Sequence, residues 1–277
     1  MLQLDGSPHD WLEGRGGPLT LVGAIDDATG KVPMAFFEQA ETSWAYLHLF
    51  DEIFTKQGLP HSVYSDRHSI FWTDREPTLA EQLQGKRPTT EVGRALEELG
   101  ITLIPAGSPQ AKGRVERLWG TLQDRLVSEL RLARAKTRGQ AQAVLERYLP
   151  KFNQTFSLTA RKPQPAWRKV RPQQLQDSLC FKYQRTVADD HTVSFEGALF
   201  QIPKNSPVRS YAGKRINVHV LLDGSVEFFF KEQTIARFDF KTARASGLYQ
   251  TNSKRDMFRY GPLTRSLNQL HELAPLT

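Results

Sequence analysis

The sequence predicts an α/β domain followed by a smaller all-β domain. The chain has 277 residues, which is enough for two domains with a substantial core. Up to residue 155, short β-rich runs alternate with longer segments whose apolar residues recur at helical spacing. From 181 to 240 the pattern changes to short strands separated by turn signals. The hydrophobic fraction of 39% is that of a globular protein.

Composition shifts indicate four segments. We expect an α/β domain with a mixed five-stranded sheet over 1–155 and a basic, proline-containing linker over 156–180. A small β-barrel or sandwich domain should follow over 181–240, and a polar basic tail over 241–277. The tail has at best one short helix, over 264–273.

The first elements read as three antiparallel strands. A short alternating run ends at Asp5, and β-rich runs follow at 19–26 and 32–37. The sequence DDATG over 26–30 is typical of a hairpin turn, because aspartate side chains bond their own backbone there.

Helices and strands then alternate. A helix over 42–57 begins at a threonine or serine cap and ends at Gly58. The pattern further predicts, in chain order, a strand over 62–66 that ends in Asp66, an irregular insertion over 67–88, a helix over 91–99 and a strand over 101–104.

The stretch SPQAKGRVERLWG, over 108–120, opens the next helix. Pro109 and Gly113 disfavour helix in the loop, so we expect the helix over 113–132. Glu116 then lies in its first turn, among three basic residues, Lys112, Arg114 and Arg117. The alternative is a surface glutamate favoured by the helix dipole. A further helix is predicted over 139–152.

The net charge of +7 is unevenly distributed. Residues 1–104 carry 8 Lys/Arg and 16 Asp/Glu, whereas residues 105–172 carry 15 and 4. Such a basic block is the electrostatic footprint of a nucleic-acid binder. The first twenty residues lack a signal pattern, and no apolar run is long enough to span a membrane. The single cysteine, Cys180, excludes an internal disulfide and a cysteine-based zinc site, and we expect it to be buried.

Three pieces resemble the catalytic core of the DDE transposase and retroviral integrase superfamily, which has a ribonuclease H-like fold. They are the strand ending in Asp5, the run Val63-Tyr64-Ser65-Asp66, and the stretch 108–116, which is similar to the family's serine-proline loop and glutamate helix. The resemblance covers residues 1–155 and is most specific in the third piece. The β-domain is similar, more weakly, to the one that follows this core in bacterial transposases.

The resemblance implies that Asp5, Asp66 and Glu116 are the catalytic residues and the metal ligands. DNA cleavage and strand transfer need an activated nucleophile and a stabilised leaving oxygen, which two divalent ions about 3.5–4 Å apart provide. Carboxylates suit Mg²⁺ or Mn²⁺. We expect Asp5 to bridge both ions, Asp66 to bind one and Glu116 to bind the other.

The resemblance also implies DNA as the partner, both as transposon ends and as target. The residues expected to contact phosphates are Lys112, Arg114, Arg117 and Arg125. For Arg117 and Arg125, a solvated surface position is an equal alternative. Because transposition joins two DNA ends, we expect a homodimer or higher oligomer on DNA. We expect no membrane partner and a cytoplasmic, nucleoid-associated location.

Two departures from the family pattern matter. The gap of 50 residues between Asp66 and Glu116 is longer than in retroviral integrases, which predicts the insertion. The chain begins at the first catalytic strand, so we expect a fragment without the family's upstream helix-turn-helix region. Two other functions stay open: a non-catalytic DNA-binding or assembly module derived from a transposase, and a ribonuclease H-like nuclease without strand transfer.

Overall fold

A computed structural model describes residues 1–83, 85–107, 113–162, 166–203, 210–239 and 249–251. It divides the chain into two compact units, Met1–Leu179 and a second unit that begins at Cys180. Within the described residues, no helix has the length and apolar character that crossing a membrane requires.

The first unit is built on a five-stranded mixed sheet. Its strands are β1 (Leu2–His9), β2 (Leu19–Asp26), β3 (Met34–Glu38), β4 (Ser62–Ser65) and β5 (Thr102–Pro105). They lie in the order β3-β2-β1-β4-β5. The first three pair antiparallel, while β4 is parallel to β1 and β5 is parallel to β4. This is the predicted mixed sheet of a ribonuclease H-like core.

Local signals account for the β2–β3 hairpin. The Asp26 carboxylate accepts hydrogen bonds from the Ala28 backbone N–H and the Thr29 hydroxyl. Gly30 has φ +69°, a left-handed conformation that glycine adopts without steric cost. The predicted turn is therefore confirmed.

Six helices occur in the described part of the first unit. They are α1 (Ser43–Gln57), α2 (Leu79–Leu83), α3 (Glu91–Glu98), α4 (Gly113–Leu132), α5 (Arg138–Phe156) and α6 (Pro172–Ser178). Three begin at threonine caps whose side chains accept a backbone N–H, at Thr42, Thr90 and Thr137. The bounds of α4 match the prediction, whereas α5 continues one turn beyond it. The short α2 lies inside the predicted irregular insertion.

The apolar stripe of α4 forms much of the core. Leu118, Leu122, Leu126 and Leu130 are buried in one hydrophobic cluster together with Trp11. These four leucines recur every four residues, as on one helical face. This packing fixes α4 against the sheet.

The segment predicted as a basic linker packs on the first unit. The backbone of Arg168 exchanges two hydrogen bonds with Leu59, of 2.8 and 2.9 Å. Its guanidinium also donates to the carbonyl oxygens of Leu99 and Gly100. Helix α6 follows it. Residues 166–178 of the predicted linker are therefore held against the first unit.

The second unit contains two antiparallel sheets. Its strands are β6 (Phe181–Thr186), β7 (Thr192–Phe195), β8 (Ala198–Gln201), β9 (Arg215–Val220), β10 (Val226–Phe230), β11 (Gln233–Phe238) and β12 (Tyr249–Thr251). One sheet has the order β11-β10-β9-β6 and the other β12-β8-β7. Cys180, just before β6, is buried as predicted.

Of the two predicted arrangements, a barrel or a sandwich, the described residues form two separate sheets and no closed barrel. Aromatic side chains pack between them: Phe200 of β8 lies 5.6 Å from Phe228 and 5.1 Å from Phe238, measured between ring centroids. Strand β12 falls within the predicted tail and pairs with β8. The short helix expected over 264–273 lies outside the described residues.

Candidate active site

Asp5 lies on β1, and Asp66 directly follows the neighbouring parallel strand β4. The parallel ladder pairs Leu2 with Val63 and Gln3 with Tyr64. Each aspartate comes two residues after the last of these pairs, so both follow the same end of the ladder. Both residues are partly exposed.

Strand β1 does not end at Asp5, contrary to the prediction. It continues to His9 because β2 pairs with it along its whole length, including Asp5 with Gly23. The ladder between β1 and β4, in contrast, stops after Gln3 and Tyr64. Asp5 therefore lies where β1 has a partner on one side only.

Trp119 of α4 connects the helix to Asp5. Its indole Nε1 donates a hydrogen bond of 3.1 Å to Oδ2 of Asp5. The ring lies over Gly23, where a Cβ would come within 3.1 Å of Trp119 Cη2. Trp119 is 5% exposed and belongs to the hydrophobic core.

Glu116 lies in the first turn of α4, one turn before Trp119. Residues three apart on a helix share a face, so Glu116 lies on the side of α4 that contacts β1. A second contact fixes this orientation, since Gln123 Nε2 donates to the Ser7 hydroxyl over 3.0 Å. The side chain of Glu116 is exposed.

The structure places two of the three predicted carboxylates, those of Asp5 and Asp66, after the same end of the ladder between β1 and β4. Across the described residues, no group of three or more His, Cys, Asp or Glu side chains is arranged to hold a metal ion. Glu116 is thus on the correct face of α4 but is not joined to Asp5 and Asp66 in a closed ligand set. The three-carboxylate site stays a prediction.

A further carboxylate, Glu41, lies close to this pair, and the sequence pattern did not single it out. A Cβ on Gly6 would lie 2.2 Å from Glu41 Cδ, so the glutamate occupies the space that a side chain at Gly6 would fill. The buried Tyr46 hydroxyl donates to Glu41 Oε2 over 2.6 Å. Burial raises the pKa of Glu41, and the negative charges of Asp5 and Asp66 also raise it. Only its contact with Gly6, which is distant in the sequence, shows that Glu41 lies near the candidate site.

The loop after β4 is held by Asp66 and His68. Asp66 Oδ1 accepts the backbone N–H of His68 over 3.1 Å. His68 Nδ1 faces the backbone N–H of Ile70 over 3.2 Å. Because Nδ1 accepts this bond, the neutral imidazole carries its proton on Nε2.

The predicted phosphate contacts have different surroundings. Arg117 and Arg125 are exposed on α4. The Arg125 guanidinium lies over the Phe156 ring, 4.9 Å from its centroid. Lys112 lies outside the described residues, as does the side chain of Arg114.

Farther along α4, Arg131 Nε donates to Glu13 Oε2 over 2.8 Å. Hydrogen bonds from Arg131 and Arg15 lower the pKa of Glu13 to about 2. Arg131 therefore holds the C-terminal end of α4 against the segment that follows β1.

The chain is similar in sequence to two curated transposases. It is 35% identical over 237 residues to the putative transposase y4bF of Sinorhizobium fredii, covering 85% of this chain and 51% of that protein. It is 32% identical over 236 residues to the transposase for insertion sequence IS1202 of Streptococcus pneumoniae, covering 82% and 48%. The chain thus spans about half the length of these relatives. No family model matches it.

Solved integrase structures are also similar to the chain, at low scores. The HTLV-2 integrase catalytic core domain in complex with magnesium, in its trimeric form, has a TM-score of 0.38 and 17% identity, covering 51% of this chain and 78% of that one. The simian T-cell lymphotropic virus intasome in complex with PP2A regulatory subunit B56 gamma has a TM-score of 0.44 and 14% identity, covering 86% and 78%.

Proposed function

We propose that the chain, which is similar to two curated transposases, is the catalytic region of a transposase of the DDE superfamily that cleaves DNA and transfers strands with a divalent metal. The observation that carries the proposal is that Asp5 and Asp66 follow the same end of the ladder between two neighbouring parallel strands. Glu116 supports it, because it lies on the face of α4 that Trp119 ties to Asp5.

The donor set fits Mg²⁺ or Mn²⁺. These hard cations prefer carboxylate oxygens and keep water and substrate phosphate as further ligands. Asp5, Asp66 and Glu116 would hold two ions, with Asp5 shared between them. When bound, such ions supply an activated nucleophile and neutralise charge on the leaving oxygen.

The chain's own residues would bind DNA phosphates and orient the metal-binding carboxylates. Trp119 holds Asp5 in place through a hydrogen bond to its Oδ2 oxygen. Arg117, on the exposed side of α4, is available to a DNA phosphate, as we propose for Lys112, Arg114 and Arg125. No histidine or lysine base is needed, because the metal lowers the pKa of bound water.

DNA is the proposed partner, as transposon ends and as target. Two ends must be joined, so we propose a dimer or higher oligomer on DNA. Since the substrate is chromosomal or plasmid DNA, the proposed location is the cytoplasm, in association with the nucleoid.

The second candidate is a non-catalytic DNA-binding or assembly module derived from a transposase. The exposed position of Glu116 favours it. In that case the basic residues of the chain bind DNA, but the three carboxylates do not catalyse nicking.

Nicking of supercoiled plasmid in Mn²⁺ tests the proposal. We expect Asp5→Asn, Asp66→Asn and Glu116→Gln each to abolish nicking, while each variant keeps the thermal denaturation midpoint of the wild type. A matched control is Glu129→Gln, the same change at an exposed position of the same helix. It should leave nicking unchanged.

The outcomes separate the candidates. Wild-type nicking in all three variants would make the assigned site wrong. Absence of nicking in the wild type, with DNA binding retained, would favour the non-catalytic module. Nicking without joining of a labelled DNA end would favour a nuclease without strand transfer.

A further inference from the structure

A tight turn after β4 holds the side chain of His68 near the candidate active site. Strand β4 ends at Ser65, and Asp66 and His68 follow it directly. Farther along the turn, Ile70 and Phe71 are only 9% and 3% exposed, whereas His68 is exposed. The turn is therefore anchored in the core by two apolar side chains and is open to solvent at His68.

The polar groups of His68 are used by the turn itself, with one exception. Its backbone N–H donates to Asp66 Oδ1 over 3.1 Å. Its carbonyl oxygen accepts the backbone N–H groups of Phe71 and Trp72 over 2.9 and 3.1 Å. Its ring atom Nδ1 accepts the backbone N–H of Ile70 over 3.2 Å. These bonds fix both the backbone and the imidazole ring of His68.

The exception is the ring atom Nε2. Because Nδ1 accepts a hydrogen bond, the neutral imidazole carries its proton on Nε2, which is therefore a donor. Among the residues that the structure describes, none accepts a hydrogen bond from this atom. A protonated ring nitrogen has no lone pair for a metal ion, so Nε2 suits an oxygen acceptor and not a cation.

The imidazole lies close to the predicted metal ligands. Asp66 contacts His68 directly, through the backbone hydrogen bond. Glu41, which occupies the space over Gly6 next to Asp5, gives the second observation. Burial raises the pKa of Glu41, the charges of Asp5 and Asp66 raise it further, and His68 lowers it. One buried carboxyl group is thus within electrostatic reach of both aspartates and of His68.

We propose that Nε2 of His68 donates a hydrogen bond to a DNA phosphate oxygen at the candidate active site. A hydrogen bond to a charged oxygen is about twice as strong as one between neutral groups. Because the turn already fixes the ring, the donor needs no reorganisation when DNA binds. The inference rests on the proposed function for its substrate. It deepens that function by assigning a substrate contact that depends neither on a metal ion nor on the basic residues of α4.

Two amide substitutions separate the roles of the two ring nitrogens. In His68→Asn, the amide oxygen reaches the position of Nδ1 and can accept the Ile70 N–H, but no atom reaches the position of Nε2. In His68→Gln, the amide nitrogen reaches the position of Nε2 and can donate, but the acceptor for Ile70 is lost. The two variants therefore remove different halves of the same side chain.

The inference predicts opposite orders of stability and activity for these variants. His68→Asn should keep the urea midpoint of the wild type, yet its plasmid nicking at saturating Mn²⁺ should fall about ten- to a hundredfold. His68→Gln should have the lower urea midpoint but lose less than about threefold in nicking. A residue that only supports the turn would instead lose activity in the order in which it loses stability.

A Mn²⁺ titration of nicking separates a DNA contact from a metal ligand. The Mn²⁺ concentration that gives half-maximal nicking should be the same in wild type and His68→Asn, because Nε2 does not bind the ion. The matched control is His61→Asn, the same change at an exposed histidine just before β4, at the other end of this strand. It should nick DNA like the wild type.

Fluorescence anisotropy with a labelled duplex gives a readout that needs no cleavage. Ca²⁺ replaces Mn²⁺ in this assay, since it is also a hard cation with oxygen ligands. We expect His68→Asn to bind the duplex about three- to tenfold more weakly than His61→Asn does.

Three results would overturn the inference. The first is nicking and DNA affinity in His68→Asn equal to those of the His61→Asn control. The second is equal loss of nicking in His68→Asn and His68→Gln with lowered urea midpoints in both, since His68 would then only support the turn. The third is a raised half-maximal Mn²⁺ concentration in His68→Asn. A wild type that does not nick DNA, with duplex affinity lowered in His68→Asn alone, would contradict the proposed function only.

Discussion

Trp119 on α4 donates a hydrogen bond from its indole Nε1 to Oδ2 of Asp5 on β1, over 3.1 Å. A buried side chain of the helix thereby fixes the orientation of one carboxylate of the candidate site. The same contact sets the rotation of α4, so that Glu116 lies one turn away on the same face. The stability of the helix packing and the geometry of the site are therefore coupled through this pair.

Trp119→Phe should weaken the site more than the fold. Phenylalanine keeps most of the ring packing on Gly23 but removes the donor to Asp5. Loss of a hydrogen bond to a carboxylate costs about 1–3 kcal/mol of unfolding free energy, measured by urea denaturation. We expect Mn²⁺-dependent nicking to fall at least tenfold, because Asp5 loses its fixed orientation.

Trp11→Phe is the matched control for this change. Trp11 is fully buried and donates from Nε1 to the Ser7 carbonyl oxygen over 3.0 Å, without contacting Asp5. It should lose comparable stability but keep its nicking rate when folded. Equal loss of nicking in both variants would contradict a specific role for Trp119.

Gly6→Ala should displace Glu41. The new Cβ would lie 2.2 Å from Glu41 Cδ, so the end of the glutamate side chain must move, and we expect its hydrogen bond from Tyr46 to be lost. Because Tyr46 is fully buried, its hydroxyl then lacks an acceptor, and we expect a loss of about 1–3 kcal/mol in urea denaturation. Gly17→Ala, with open space around the new Cβ, is the control. Unchanged stability of Gly6→Ala would refute this packing.

Glu13 should make stability depend on acidic pH. Its pKa is lowered from 4.5 to about 2 by Arg131 and Arg15 in the folded protein. A carboxyl group whose pKa is lower in the folded than in the unfolded protein stabilises the fold when the pH is above its unfolded-state pKa. This contribution disappears as the pH falls through its folded-state pKa. The difference in urea midpoint between wild type and Glu13→Gln should therefore shrink between pH 4.5 and about 2. A difference that grows on acidification would contradict this reasoning.

Arg138→Met should be strongly destabilising. Arg138 Nη1 lies 2.8 Å from Glu38 Oε1, and the two side chains are only 14% and 7% exposed. Removing one partner of a buried ion pair typically costs about 3–5 kcal/mol. Lys56→Met removes the exposed ion pair with Glu52 and should cost less than about 1 kcal/mol. Similar urea midpoints for the two variants would contradict the prediction that the buried ion pair stabilises the fold more than the exposed one.

The sequence predicted elements whose signals are local. Helix α4 runs from Gly113 to Leu132 as expected, because a glycine start and a regular apolar stripe specify it. Asp66 was found because β4 is short and ends just before it. The continuation of β1 beyond Asp5 could not be read locally, since the pairing with β2 extends it.

Features that depend on distant contacts were missed. The position of Glu41 depends on the missing side chain of Gly6, and neither residue has a motif of its own. The barrel was predicted from strand spacing, but spacing does not tell whether the strands close one sheet or divide into two. The partner of β8, at Tyr249–Thr251, lay in a segment that composition marked as a polar tail.

The most direct test of the central claim is Mn²⁺ binding followed by electron paramagnetic resonance, with wild type and the three carboxylate variants. Asp5, Asp66 and Glu116 are proposed to form one site that holds two divalent ions. The wild type should therefore bind two Mn²⁺ ions in the presence of cleaved duplex DNA. Asp5→Asn should lose both ions, and Asp66→Asn and Glu116→Gln should each lose one. Equal Mn²⁺ binding by all four proteins would contradict the claim.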